Sequence, residues 1–110
     1  MRCVSGEVFG NVQKIMFRQT FIRALIKYKL KGGASNDQQD CDKVSFSIEG
    51  EKENIDLILK RLVKLTTLNS WGAKVEKLII HEEYTPFHLH QVTTQNVDSF
   101  NWSEGVEFYL

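Results

Sequence analysis

The chain has 110 residues, 42% of them hydrophobic and 25% charged, with 14 basic residues set against 14 acidic ones. That length suits one domain with a single core. The cancelled charge excludes a global attraction to nucleic acid or to an anionic membrane, so any anion site must be local. No apolar run approaches membrane-spanning length. The opening Met1–Glu7 stretch is too polar for a signal peptide, which makes a cytoplasmic protein the expectation. Cys3 and Cys41 lack CxxC spacing, which excludes a cysteine-rich zinc site and a disulfide framework. Free thiols are expected.

In chain order, Val4, Gly6 and Val8 alternate with Cys3, Ser5 and Glu7, the period-2 pattern of a half-buried strand. A short polar turn follows. Phe17, Phe21, Ala24, Leu25 and Tyr28 then recur at helical spacing, and Leu30-Lys31-Gly32-Gly33 is read as the helix stop. A second, short strand runs through Ala34 and Ser35 to Asn36, and the polar 36–43 segment is a hairpin loop. Val44, Phe46 and Ile48 alternate with serines in a third strand that ends at Gly50. Ile55, Ile58, Leu59, Leu62 and Leu65 form the stripe of a second helix, acidic near its start and basic near its end as the helix dipole favours. Trp71 to Ile80 is expected as a fourth strand, and Phe87 and Leu89 as part of a last short one behind Pro86.

This order predicts an α+β sandwich of the ferredoxin type, β-α-β-β-α-β, with two helices on one face of an antiparallel sheet and an added edge strand. The serines suggest that the opposite face is wet. The split crossover makes strands one and two parallel, with strand three between them. The turn after strand one and the hairpin after strand two must therefore emerge at the same end, bringing Arg18 towards Asn36. Arg18 lies in the first turn of a helix, the unfavourable end for a cation. Either it points into water or an anion sits between it and the helix end.

Gly10-x-Val12-Gln13-x-Ile15-x-Phe17-Arg18 resembles the acylphosphatase signature Gly-x-Val-Gln-Gly-Val-x-Phe-Arg. Gly32-Gly33-Ala34-Ser35-Asn36 is similar to the family's Gly-x-Val-Arg-Asn. Ile48-Glu49-Gly50, Trp71-Gly72-Ala73-Lys74-Val75 and Tyr84-Thr85-Pro86-Phe87-His88-Leu89 resemble its third, fourth and closing strands. The resemblance covers roughly residues 3–90, implying an acylphosphatase-like domain over 1–90 and a C-terminal extension over 91–110. It implies metal-independent hydrolysis of a small-molecule acyl phosphate with no cofactor, and a monomer is expected. It also implies catalytic roles for Arg18 and Asn36. The phosphate cradle would comprise Gly10, Asn11, Val12, Gln13, Lys14, Ile15, Met16, Phe17 and Arg18. The physical fit is good. A turn can aim successive N–H groups at one anion, arginine offers a planar fork for phosphate oxygens, and an asparagine amide can hold a water. A carboxylate is a good leaving group, so positioning and charge stabilisation supply most of the catalysis.

The chain departs from the family pattern in three places. Lys14 replaces a glycine, Ser35 replaces an arginine, and the 36–43 loop brings Asp37, Asp40 and Asp42 to the anion-binding end. Trp71 and Phe46 are read as core. His88 and His90 are read as solvent-facing rather than as a metal pair. Phe100, Trp102, Val106, Phe108, Tyr109 and Leu110 are too apolar for a purely solvated tail, leaving an extra strand, a dimer contact or a site lid open. An RNA-binding sheet is disfavoured, because the candidate wet positions hold no aromatic pair and there is no basic excess. The remaining alternative is a protein of this fold that binds a phosphorylated ligand or a partner without turnover.

Overall fold

A computed structural model describes residues 1–100 and 105–110. β1 (Arg2–Asn11), β2 (Lys31–Asn36), β3 (Lys43–Gly50), β4 (Lys74–Ile80) and β5 (Val92–Thr93) form one sheet in the order β4-β1-β3-β2-β5. Every neighbouring pair is antiparallel. β3 thus lies between β1 and β2, which run parallel, and Asn11 and Asn36 leave the sheet at the same end. The expected ferredoxin-type α+β fold is what forms.

Helices α1 (Phe17–Lys27) and α2 (Lys52–Lys64) pack on one face. Their stripes of Phe17, Phe21, Leu25, Ile55, Ile58 and Leu62 meet Val4, Val8, Phe46 and Ile48 of the sheet in one core. Phe17 stacks on Phe21 at 5.9 Å, and Phe21 meets Phe46 edge-on at 5.6 Å. Aromatic pairs in these arrangements add directionality to ordinary burial. Phe17 thereby anchors the first turn of α1 and sets where Arg18 emerges.

Several expected boundaries move. Lys29, not glycine, takes the left-handed turn that ends α1, with φ 59° and the N–H of Leu30 closing on the carbonyl of Leu25 at 2.8 Å. Gly32 and Gly33 already belong to β2. β4 begins at Lys74, and Trp71, expected in the core, is 45% exposed in the preceding turn. Phe87–Leu89 is a 3-10 turn rather than a strand. Pro86 leads into it, and the edge strand is β5 instead.

The face read as wet is covered. Ser5 and Ser47 are buried, at 2% and 0% exposure, beneath the segment around Thr85 and His90. Gly33 makes this close approach feasible. A Cβ there would stand 2.6 Å from the carbonyl oxygen of Phe87 and 2.8 Å from Cβ of His90. The extension is packed too: Val97, Val106 and Leu110 are buried, and Phe108 bridges to Asn69. Trp102 lies outside the described residues. Cys3 and Cys41 are free and exposed.

Candidate functional site

The loop between β1 and α1 has an alternating backbone. Lys14 and Met16 hold left-handed φ values of 66° and 62°, while Gln13, Ile15 and Phe17 are not in that region. Alternation of this kind turns successive N–H groups towards one concavity, the anion-binding nest. Its carbonyls are engaged on the protein side. Asn69 Nδ2 donates to the Ile15 carbonyl at 2.9 Å, and the N–H and Oγ1 of Thr20 donate to that of Met16 at 2.9 and 2.7 Å. The N–H groups from Gln13 through Gln19 meet no acceptor among the described residues. A loop with free N–H donors and two of its carbonyls turned to the protein side presents positive potential, and the N-terminus of α1 adds to it.

Lys14 and Met16–Gln19 of this segment border a hollow of about 210 Å³, which Val12, Asn36, Val92 and Phe100 also line. Arg18 and Asn36 thus converge as the topology requires. Arg18 is half-buried, and that burial lowers its pKa from the ordinary guanidinium value. It forms no ion pair among the described residues; its Nη1 donates to the neutral amide oxygen of Gln91 at 3.0 Å. A partly desolvated cation without a counter-charge favours an anion beside it. The Asn36 N–H donates to the same Gln91 oxygen at 2.9 Å. Asn36 Oδ1 is buried with no hydrogen-bond partner among the described residues, leaving an acceptor available for a water or ligand hydroxyl.

Other residues expected in the cradle have different work. Gly10 lies at the register shift between β1 and β4, with φ 141°, and its N–H donates to the Asp42 carbonyl at 2.9 Å. Asn11 Nδ2 donates to the Gly72 carbonyl at 3.1 Å. Both line a second, separate hollow with Phe9, Asp40, Asp42 and Glu76. Gln13 turns its side chain away from the first hollow. Its Nε2 reaches the carbonyls of Asp37, Asp40 and Lys43 at 3.1, 3.0 and 2.8 Å, tying the loop to the hairpin. Ile15 packs against the core and contributes only backbone to the loop.

The hairpin carboxylates do not line the Arg18 hollow. Asp37 Oδ2 accepts the N–H groups of Gln39 and Asp40 at 3.0 and 2.7 Å, and its Oδ1 lies 3.6 Å from Lys43 Nζ. The Asp40 N–H above all, helped by Lys43, holds its carboxyl below the ordinary value. Asp40 accepts the N–H of Asp42 at 2.9 Å. These local bonds shape the turn and face its own side of the molecule.

His90, expected at the surface, is held between two serines. Ser35 Oγ lies 2.9 Å from its Nδ1 and Ser47 Oγ 2.8 Å from its Nε2. Ser47 also reaches the Thr85 carbonyl at 2.6 Å and Ser5 Oγ at 2.7 Å. Because Ser35 also accepts the Gln91 N–H at 2.9 Å, its hydroxyl proton is free to serve His90 Nδ1. This fits a neutral imidazole with the proton on Nε2, and burial lowers its pKa in agreement. His81 pairs instead with Glu7, and His88 packs against Phe87. No group of three metal-ligating side chains gathers among the described residues.

Sequence reasoning missed Gln91, Asn69, Val92 and Phe100. Phe100 carried a signal, its apolar character in a tail that should have been polar. Nothing local distinguishes Gln91 or Asn69, whose roles exist only through partners far away in the chain.

A family model described as Acylphosphatase matches residues 4–93. Among solved structures, the acylphosphatase from Bacillus subtilis aligns with a TM-score of 0.60 and 20% identity, over 79% of this chain and 92% of that one. An acylphosphatase from Coxiella burnetii aligns at 0.58 and 22%, over 76% and 85% of the respective chains. Full-length HypF in a phosphate- and nucleotide-bound form aligns at 0.58 and 20%, over 77% of this chain but only 11% of HypF. A search of curated proteins gave no match.

Proposed function

The chain belongs to the acylphosphatase family, and from that premise we propose that it hydrolyses acyl phosphates to a carboxylate and inorganic phosphate. One observation carries the proposal: Arg18 and Asn36 border a single hollow with Lys14, Met16, Phe17 and Gln19, whose backbone N–H groups meet no acceptor among the described residues, and Arg18 has no anionic partner among them. The phosphoryl group sits against the loop amides and the Arg18 fork, with Lys14 at the rim. Water, accepted by Asn36 Oδ1, attacks phosphorus. The bond from phosphorus to the acyl oxygen breaks, the carboxylate leaves with the bonding pair, and the proton of water passes to a phosphoryl oxygen. Fixed donors stabilise charge on the equatorial oxygens without reorganising. The reaction proceeds without a cofactor or metal ion, in a monomeric cytoplasmic protein.

The hollow is smaller than a typical drug-sized ligand site, in keeping with a phosphoryl group and a short acyl arm. The test is hydrolysis of benzoyl phosphate in the presence of a chelator. Turnover is expected, with competitive inhibition by inorganic phosphate. Arg18→Ala abolishes both, and Arg18→Lys restores little because it lacks the planar fork. Near-normal kinetics in Arg18→Ala would remove the phosphate site. Phosphate binding without turnover would leave the chain a binding protein of this fold.

A further inference from the structure

Gln91 joins the two halves of the site. Its Oε1 accepts from Arg18 Nη1 at 3.0 Å and from the Asn36 N–H at 2.9 Å. Both partners can only donate, so the amide must present its oxygen. Two donors converging on one oxygen, one of them a guanidinium, is the arrangement a phosphoryl oxygen would be given.

The surroundings hold the Gln91 backbone still, while its side chain is bonded only through Oε1 among the described residues. Its N–H donates to Ser35 Oγ at 2.9 Å, and its carbonyl accepts Asn96 Nδ2 at 3.2 Å. The preceding residue, His90, is gripped by Ser35 and Ser47. Gln91 itself is exposed, so its amide can swing into water by side-chain rotation alone.

We propose that Gln91 is an internal latch, its amide oxygen standing in for a phosphoryl oxygen between Arg18 and the Asn36 N–H until an anion displaces it. The inference rests on the phosphate site proposed above and adds what that site must give up to bind. A neutral amide oxygen competes weakly with a dianion for a guanidinium, so the latch lowers affinity without closing the site. Gln91 thereby sets the phosphate concentration at which product inhibits, and it keeps a desolvated arginine satisfied between turnovers.

The test is the dissociation constant of inorganic phosphate, by calorimetry, for the parent, Gln91→Ala and Gln91→Glu. Gln91→Ala removes the competitor without adding a group, and phosphate should bind about tenfold more tightly, which corresponds to roughly 1.4 kcal/mol. Gln91→Glu puts a charged oxygen on Arg18. It should weaken phosphate at neutral pH and recover as the introduced carboxylate protonates. Weaker or unchanged phosphate binding in Gln91→Ala overturns the latch and makes Gln91 a support for Arg18, even where the parent hydrolyses benzoyl phosphate. Tighter binding in Gln91→Ala without turnover by any variant keeps the latch and refutes the hydrolase reading. No phosphate binding by parent or variants overturns both.

Discussion

Lys14 occupies a position where the family carries glycine, at φ 66°. For an L-residue this left-handed backbone costs about 1–2 kcal/mol, because Cβ crowds the following carbonyl. Lys14→Gly removes that cost but adds conformational freedom to the unfolded chain, worth about 0.4–1 kcal/mol in the opposite direction. The net gain is about 0.5–1 kcal/mol, or about 2–4 °C in Tm for a domain of this size. The same substitution removes an exposed ammonium from the rim of the hollow that Arg18 lines. Phosphate affinity should then fall about two- to threefold at low salt, with the difference fading as ionic strength rises. Lys14→Asn separates the two effects, since asparagine tolerates the left-handed region better than lysine and also drops the charge. Both variants should lose the same affinity, and the glycine variant should be the more stable. Thermal melts and phosphate calorimetry at two salt concentrations make the measurement. A glycine variant that melts at or below the parent temperature would refute the strain argument; unchanged affinity in both variants would remove Lys14 from the ligand set.

Asn36→Ala should lower kcat by about 10- to 100-fold while inorganic phosphate still binds, because a mispositioned water slows the chemical step; a change confined to KM would make Asn36 a binding group. Replacing Asp37, Asp40 and Asp42 together by asparagine should alter phosphate affinity by about twofold or less, since their side chains bond within the hairpin. A large, salt-sensitive tightening would show that they act on the site. Burial lowers the His90 pKa below its ordinary 6.5, so the folded state favours the neutral ring. Its contribution to stability is complete above about pH 6.5 and is lost as pH falls below that value towards the folded pKa. Urea titrations should therefore show a loss between neutral pH and the onset of carboxylate titration that His90→Gln flattens. An equal slope in both proteins would mean that His90 is not held neutral.

Most of the fold was legible because period-2 and helical patterns report which face of an element is apolar, and here the apolar faces do meet in the core. The convergence of Arg18 and Asn36 was legible for a topological reason: a split crossover leaves no freedom about which loops share an end of the sheet. The second face of the sheet was not legible. Ser5 and Ser47 alternate with apolar residues as solvent-facing serines do, and only the Thr85–His90 segment lying over them makes them interior. A hydroxyl suits either environment so long as its hydrogen bonds are met, so the pattern cannot distinguish them. The orientation of Gly10 and Gln13 was not legible for a related reason. They shape the loop through a strand irregularity and through hairpin carbonyls, and a motif records that a residue is required without recording which way it faces.

The departure at Ser35 and the covered face belong together. In place of the family's arginine, Ser35 offers one small hydroxyl that accepts the Gln91 N–H and serves His90 Nδ1. A long cationic side chain could not make that pair of contacts and would put a second charge beside a segment held by neutral hydrogen bonds. With serine there, and glycine at position 33 leaving room, His90 seats against Ser47, and the chain turns into β5 with the Gln91 amide oxygen on Arg18 and Asn36. Val92 then forms part of the floor of the hollow. Gln19 reaches the carbonyls of Val97 and Phe100 at 3.2 and 3.3 Å, securing the next stretch so that Phe100 supplies a wall. On the proposed reading, phosphate lies against Lys14, Met16, Phe17, Arg18 and Asn36, within the stretch that the family motifs cover. On the same reading the acyl group is left to Val92 and Phe100, which line the hollow at and beyond the limit of the family match. Selection among acyl groups should accordingly respond to changes in the last strand and extension, and phosphate affinity to changes in the β1–α1 loop.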